Sequence, residues 1–157
     1  MIVAKRNRRS GFTLIEVLIV VVVMAILAGA IIPQLTSSTN DARKSSVKFN
    51  LQAMRTQIQV YSTQHNNSFP AFATFLNQMT LPSDINGNTT GTNLPYGPYI
   101  QGGALPINPY NNSGAVVAVA TPGTVPTTIV AGGAGWQYDQ SNGGFYANNA
   151  EAYVAGF

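Results

Sequence analysis

Residues 8–33 read RRSGFTLIEVLIVVVVMAILAGAIIP, and the reading of the whole chain turns on them. Four cations, Lys5, Arg6, Arg8 and Arg9, precede an apolar run over residues 14–32 that only Glu16 interrupts. A helix needs about 20 apolar residues to cross a bilayer, and a basic flank belongs on the cytoplasmic side. A carboxylate at the centre of such a helix costs roughly 2.5–3.5 kcal/mol on insertion scales, so Glu16 calls for a reason.

The chain has 157 residues, enough for a membrane helix and one small domain. Cysteine is absent, so no disulfide braces that domain and no thiolate serves as nucleophile or metal ligand. The formal charge of +3 is a property of the N-terminus. Beyond Gly11, four Lys/Arg face five Asp/Glu, and no Lys or Arg follows Arg55. Nucleic-acid binding needs clustered cations that release counterions, so the head is not expected to bind DNA or RNA.

Three readings of the leader compete. A secretory signal has an apolar core of about 7–15 residues and an A-x-A-like cut. Ala28-Gly29-Ala30 offers such a cut, but the run is long for that class and Glu16 sits inside it. An uncleaved signal anchor fits the hydropathy and leaves Gly11-Phe12 and Glu16 without a purpose. In the third reading, a basic leader, a Gly, a Phe and a Glu five residues after that Gly resemble the class III signal of type IV pilins and pseudopilins.

That resemblance implies cleavage after Gly11 by a prepilin peptidase on the cytoplasmic side and N-methylation of Phe12. Glycine presents no side chain to a protease working near the membrane surface. The cut removes the cations and keeps the apolar helix. The resemblance also implies that Glu16 neutralises the Phe12 amine of a neighbouring subunit during assembly, since a paired buried carboxylate is tolerable and a lone one is not. Two plainer roles remain open. Glu16 lies about 6 Å along a helix from Phe12 and can reach headgroups. It also shares a helix face with Phe12 and can meet its own chain's amine.

Pro33 ends the run four residues after Gly29. Proline removes a backbone hydrogen bond and presses on the carbonyl of i−4, which predicts a kink or local melting. The helix is expected to resume or continue over residues 34–64. There Val47, Leu51, Met54, Ile58 and Tyr61 repeat at spacings of 4, 3, 4 and 3, forming one apolar stripe. Asp41 suits a first turn if the helix restarts near Thr39 or Asn40. His65-Asn66-Asn67 and Pro70 stop it.

Residues 71–79 read as a short second helix carrying Phe72, Phe75, Leu76 and Met79, and 86–93 as a loop. Four runs then read as strands, 116–120, 127–131, 135–138 and 145–147. Residues 137–145 read as a hairpin turning on Ser141-Asn142-Gly143-Gly144, with Trp136 in the core.

This part resembles the major pseudopilin of type II secretion through Gly97-Pro98-Tyr99-Ile100, Leu105-Pro106 and Asn108-Pro109-Tyr110. That family usually carries Asp-Pro-Trp-Gly at the last of these, so the match is looser there. The absent cysteines depart from many type IV pilins, which close the C-terminal region with a disulfide. The implied fold is α+β, a long N-terminal helix packed on a small antiparallel sheet head. The implied organisation is a cleaved leader (1–11), a transmembrane and polymerisation helix (12–33) and a head (34–157). The head comprises an amphipathic helix at 34–65 and a β-rich part at 95–150.

The resemblance further implies self-association into a helical filament, an inner-membrane assembly platform, minor pilins and the prepilin peptidase as partners. The subunit would sit in the inner membrane as a single-pass protein before assembly, and in a periplasmic or surface filament afterwards. Major pseudopilins often hold calcium in an acidic C-terminal loop, and calcium takes six to eight oxygens. Residues 83–157 offer only Asp84, Asp139 and Glu151 as acids. Asp139-x-Ser141-x-Gly143 has the spacing of a cation loop and equally that of a hairpin turn. No P-loop, dinucleotide glycine pattern, metal cluster or Ser/His/Asp set is present, and His65 is the only histidine. Two function classes follow, a filament subunit and a non-polymerising membrane-anchored binding module. Gly11, Phe12 and Glu16 are needed only by the first, whose filament is a secretion pseudopilus or a type IV pilus for adhesion or motility.

Overall fold

Helix-forming Leu, Val, Ala and Met follow Thr13 without a stop signal, and they form one helix, α1, over Leu14–Gln64. The computed structural model describes residues 11–151, so the leader residues 1–10 lie outside it, as do the side chains of residues 33–36. The chain divides into two compact units, Met1–Asp41 and Ala42–Phe157, and α1 contributes to both. Because α1 passes position 33 and residues 39–41 without restarting, Asp41 stands in mid-helix and not in a first turn. The expected end is found. Asn66 and Asn67 take left-handed backbone angles (φ 54° and 59°), and Asn67 N–H donates to Ser62 C=O at 2.9 Å.

In the second unit the predicted stripe is the core. Val47, Leu51, Met54, Ile58 and Tyr61 are all at most 2% exposed. They pack with Phe75, Met79, Trp136, Tyr138, Phe145 and Ala147. The expected helix over 71–79 is shorter than its apolar pattern suggests. A 3-10 turn at Phe72–Thr74 leads into α2 at Phe75–Thr80, and only Phe75 and Met79, four residues apart, reach the core. Phe72 and Leu76 stay exposed.

Three short strands make the sheet: β1 (Val116–Ala118), β2 (Trp136–Asp139) and β3 (Gly144–Ala147), in that order. The β2–β3 hairpin is antiparallel, pairing Trp136 with Ala147 and Asp139 with Gly144. β1 runs parallel to β2, with Val116 opposite Trp136 and Ala118 opposite Tyr138. The sheet is therefore mixed and not antiparallel as expected, because parallel neighbours need a long crossover. Residues 119–135 provide it, and the strand expected at 127–131 lies inside it as irregular chain. Pro126, which has no N–H for a ladder, and Gly132 and Gly133, which take positive φ, bound this stretch on both sides with residues that break a strand.

All four residues of β2 are buried, which means both faces of the central strand are covered. Trp136 and Tyr138 point into the helix-side core. Gln137 and Asp139 alternate to the other face and bind the crossover, through Thr128 C=O (3.0 Å) and Gly123 N–H (2.6 Å). The segments that carry the pseudopilin resemblance fasten the rest. Pro106 C=O accepts from Trp136 Nε1 at 2.7 Å, and Tyr99 and Ile100 N–H both donate to Met79 C=O. Buried Asn108 donates from Nδ2 to Gly135 C=O (2.8 Å) and Asn149 Oδ1 (3.0 Å), while its Oδ1 accepts from Tyr110 N–H. An ionised aspartate has no hydrogen to give those two acceptors, which accounts for Asn in place of the usual Asp.

Candidate functional site: the N-terminal helix and its carboxylate

Thr13 and Glu16 build the start of α1. Thr13 N–H and its hydroxyl each donate to Glu16 Oε2 at 2.7 Å, and Glu16 N–H donates to Thr13 Oγ1 at 3.3 Å. This is a capping box, in which side chains at the N-cap and three residues on satisfy each other's unpaired backbone donors. The sequence signal was available in Thr-Leu-Ile-Glu, and the sequence reading did not use it. To the roles left open for Glu16 the structure adds a further one: it stabilises the first turn of its own helix.

Beyond the cap, every described residue from 11 to 32 is exposed, Phe12 at 89% and Leu14 at 85%. At 1.5 Å per residue the run from 14 to 32 is about 28 Å long, close to the thickness of a bilayer's hydrocarbon core. Among the described residues, α1 is the one helix long and apolar enough to cross a membrane. Such a surface is far larger than a soluble monomer carries, and it calls for lipid or for other helices. Gly11 precedes the helix and is exposed, and among the described residues nothing beyond its chain neighbours lies within 4 Å of where its Cβ would stand.

In the second unit His65, Asp84 and Asp139 are engaged in holding the fold. His65 is buried, stacks on Tyr61 with ring centroids 3.8 Å apart, and meets Tyr61 C=O (2.8 Å) and Ser83 Oγ (3.0 Å) through its two nitrogens. Asp84 accepts from Asn86 N–H, Asn88 N–H and Asn88 Nδ2, closing its own turn. Its hydrogen bonds from Asn88, side chain first, hold its carboxyl below the usual aspartate value. Asp139 serves the hairpin: Oδ1 accepts from Ser141 N–H (2.9 Å) and Ser141 Oγ (2.6 Å), and Oδ2 from Gly123 N–H (2.6 Å). Burial pushes this carboxyl up, but the bonds from Ser141 and Gly123 outweigh it and leave the group below its ordinary range.

Calcium, implied by the resemblance, does not fit these residues. Two of the three groups aimed at Asp139 are backbone N–H donors, which leaves the Ser141 hydroxyl beside it where calcium takes six to eight oxygens. Among the described residues no group of three or more His, Cys, Asp or Glu is placed to hold a metal ion.

A capped apolar helix with one carboxylate, running into a small α+β unit, defines the pilin class of fold. Residues 6–32 match the family model of the prokaryotic N-terminal methylation motif. Over 119 residues the chain is 30% identical to the type II secretion system core protein G of Pseudomonas aeruginosa, covering 76% of this chain and 80% of that protein. The same-named protein of Klebsiella pneumoniae is 27% identical over 119 residues (76% and 81%). That of Vibrio cholerae is 28% identical over 122 residues (77% and 79%). No solved structure matches the chain. The chain belongs to the family of type II secretion core protein G and is a structural subunit of the pseudopilin type.

Proposed function

We propose that this pseudopilin is made as a membrane-held precursor, cut after Gly11, N-methylated at Phe12 and polymerised through the helix that follows. Residues 1–11 are then a leader, 12–33 the transmembrane and polymerisation helix, and 34–157 the part carried on the outside of the inner membrane. The observation that carries this reading is the helix from residue 14 to 32, wholly exposed and bearing one carboxylate at its capped end. In the bilayer that surface is covered by lipid, and in a filament by the same helix of other subunits.

Glu16 has two successive partners in this scheme. Before assembly it caps its own helix through Thr13. On assembly it pairs with the Phe12 amine of a neighbour, which spares both charges an unpaired existence in an apolar filament interior. Pro33 gives the helix a place to bend or open as subunits pack. The partners follow from the same scheme: prepilin peptidase and methylase, an inner-membrane platform, minor pilins and further copies of the chain. The role is structural and not enzymatic. His65, Asp84 and Asp139 are committed to hydrogen bonds within the fold.

Intact-mass and N-terminal peptide analysis of the protein purified from membranes tests the reading. The expected product begins with N-methylated Phe12, and Gly11→Trp leaves the full precursor. A mature chain starting at Met1 or at Ile31 refutes it.

A further inference from the structure

We infer that the crossover joining β1 to β2 is fastened to the sheet by a clamp of protein groups alone, so that the head holds its fold without a divalent cation. Between Val119 and Ala134 no residue of the crossover is buried, and Val125 and Ile129 turn their side chains outward. Apolar burial therefore does not fix this segment. Hydrogen bonds from three side chains do, two on β2 and one just past β3.

Asp139 holds the first part, accepting from Gly123 N–H at 2.6 Å. Gln137 holds the middle, donating to Thr128 C=O at 3.0 Å. Asn148 holds the end: its Oδ1 accepts from Val130 N–H (2.8 Å), and its Nδ2 donates to Val130 C=O and Ala134 C=O (2.9 Å each). Asn148 thus gives Val130 both of the bonds that a neighbouring strand would give. Gln137 Nε2 also donates to Asn148 Oδ1 at 2.9 Å, which ties two of the three anchors together.

The clamp engages the Asp139 carboxylate and three backbone carbonyls that a cation would use. Backbone carbonyls are ordinary calcium ligands. Here those of Thr128, Val130 and Ala134 already accept from amide N–H groups. The one carboxylate present accepts from donors whose hydrogens would repel an ion. A carboxylate bonded to backbone N–H groups is among the stronger hydrogen-bonding arrangements, and Asp139, Gln137 and Asn148 are all at most 6% exposed.

The test uses the full chain in detergent micelles. Trp136, the only tryptophan and fully buried, reports unfolding of the head by fluorescence. A cation bound at roughly a hundred times its dissociation constant raises Tm by several degrees. The expectation is the same Tm in millimolar CaCl2 and in EGTA, to within about 1 °C on that scale. Asp139→Asn and Asn148→Ala each lower Tm by about 3–8 °C, equally in both buffers, and speed proteolysis within residues 120–133. Ser141→Ala, which removes one bond to Asp139, gives a milder loss and serves if Asp139→Asn does not fold. A calcium-dependent rise in the wild-type Tm overturns the inference, whether or not Asp139→Asn abolishes it. So does an Asn148→Ala protein whose Tm and cleavage rate are unchanged.

Discussion

The same helix treats its apolar residues in opposite ways at its two ends. From 14 to 32 they surround the helix and every one is exposed. From 47 to 61 one stripe, Val47, Leu51, Met54, Ile58 and Tyr61, is buried, while Phe49 and Val60 lie off it and stay exposed. An all-round apolar helix cannot be satisfied by one small domain and needs lipid or other helices, while a stripe is satisfied within one subunit. On the proposed function the first region holds the energy for insertion and association, and the second holds the energy for folding. A mutation should therefore damage one and spare the other.

The largest expected effect breaks the head alone. Trp136→Ala removes a fully buried indole and its bond to Pro106 C=O, and should cost about 3–5 kcal/mol of folding stability. Chemical denaturation in micelles, read by circular dichroism, measures it. Membrane retention is expected to persist. Val20→Ala, on the exposed run, should leave the head's unfolding curve where it was.

A smaller effect comes from acid. Asp139 titrates below its ordinary value in the fold, so it stabilises the head above the unfolded aspartate pKa. That contribution is lost as pH falls through the folded value. Tm should decline as pH falls below about 5 and on through the folded value, and Asp139→Asn should flatten part of the decline. An Asp139→Asn head whose Tm is as pH-sensitive as that of the wild type would place the effect on other groups.

The smallest effect lies at the first turn of α1. Thr13→Ala removes the N-cap and should cost about 0.5–2 kcal/mol of local helix stability. Faster hydrogen exchange at the amides of residues 14–17, with the head's exchange unchanged, is the expected pattern.

What the sequence revealed follows the same division. The 3.6-residue periodicity of Val47, Leu51, Met54, Ile58 and Tyr61 is a local signal, and the structure buries each of them. The hairpin at 137–145 was legible from its Asn-Gly-Gly turn. Gly143 takes φ +72°, and a Cβ there would strike the Phe69 ring. The parallel placement of β1 was not legible, because strand direction depends on where a crossover returns and not on residue type. The β-branched residues at 127–131 read as a strand. In the fold their backbone groups are met by amide side chains from residues 137 and 148, a long-range arrangement with no periodic trace. At the N-terminal site, Gly11, Phe12 and Glu16 stood out by type and spacing. The bond between Thr13 and Glu16 was equally local and needed only the capping-box spacing to be noticed.

The most direct test of the division between assembly and folding is Glu16→Ala in the full chain, expressed in cells lacking the native subunit. Removing the carboxylate relieves an insertion cost of at most a few kcal/mol and, in the proposed pairing, leaves a neighbour's Phe12 amine without a partner in an apolar filament interior. The expected result is normal membrane insertion, an unchanged Trp136 unfolding curve and no filaments. Filaments of normal number and length from the Glu16→Ala chain would contradict the account.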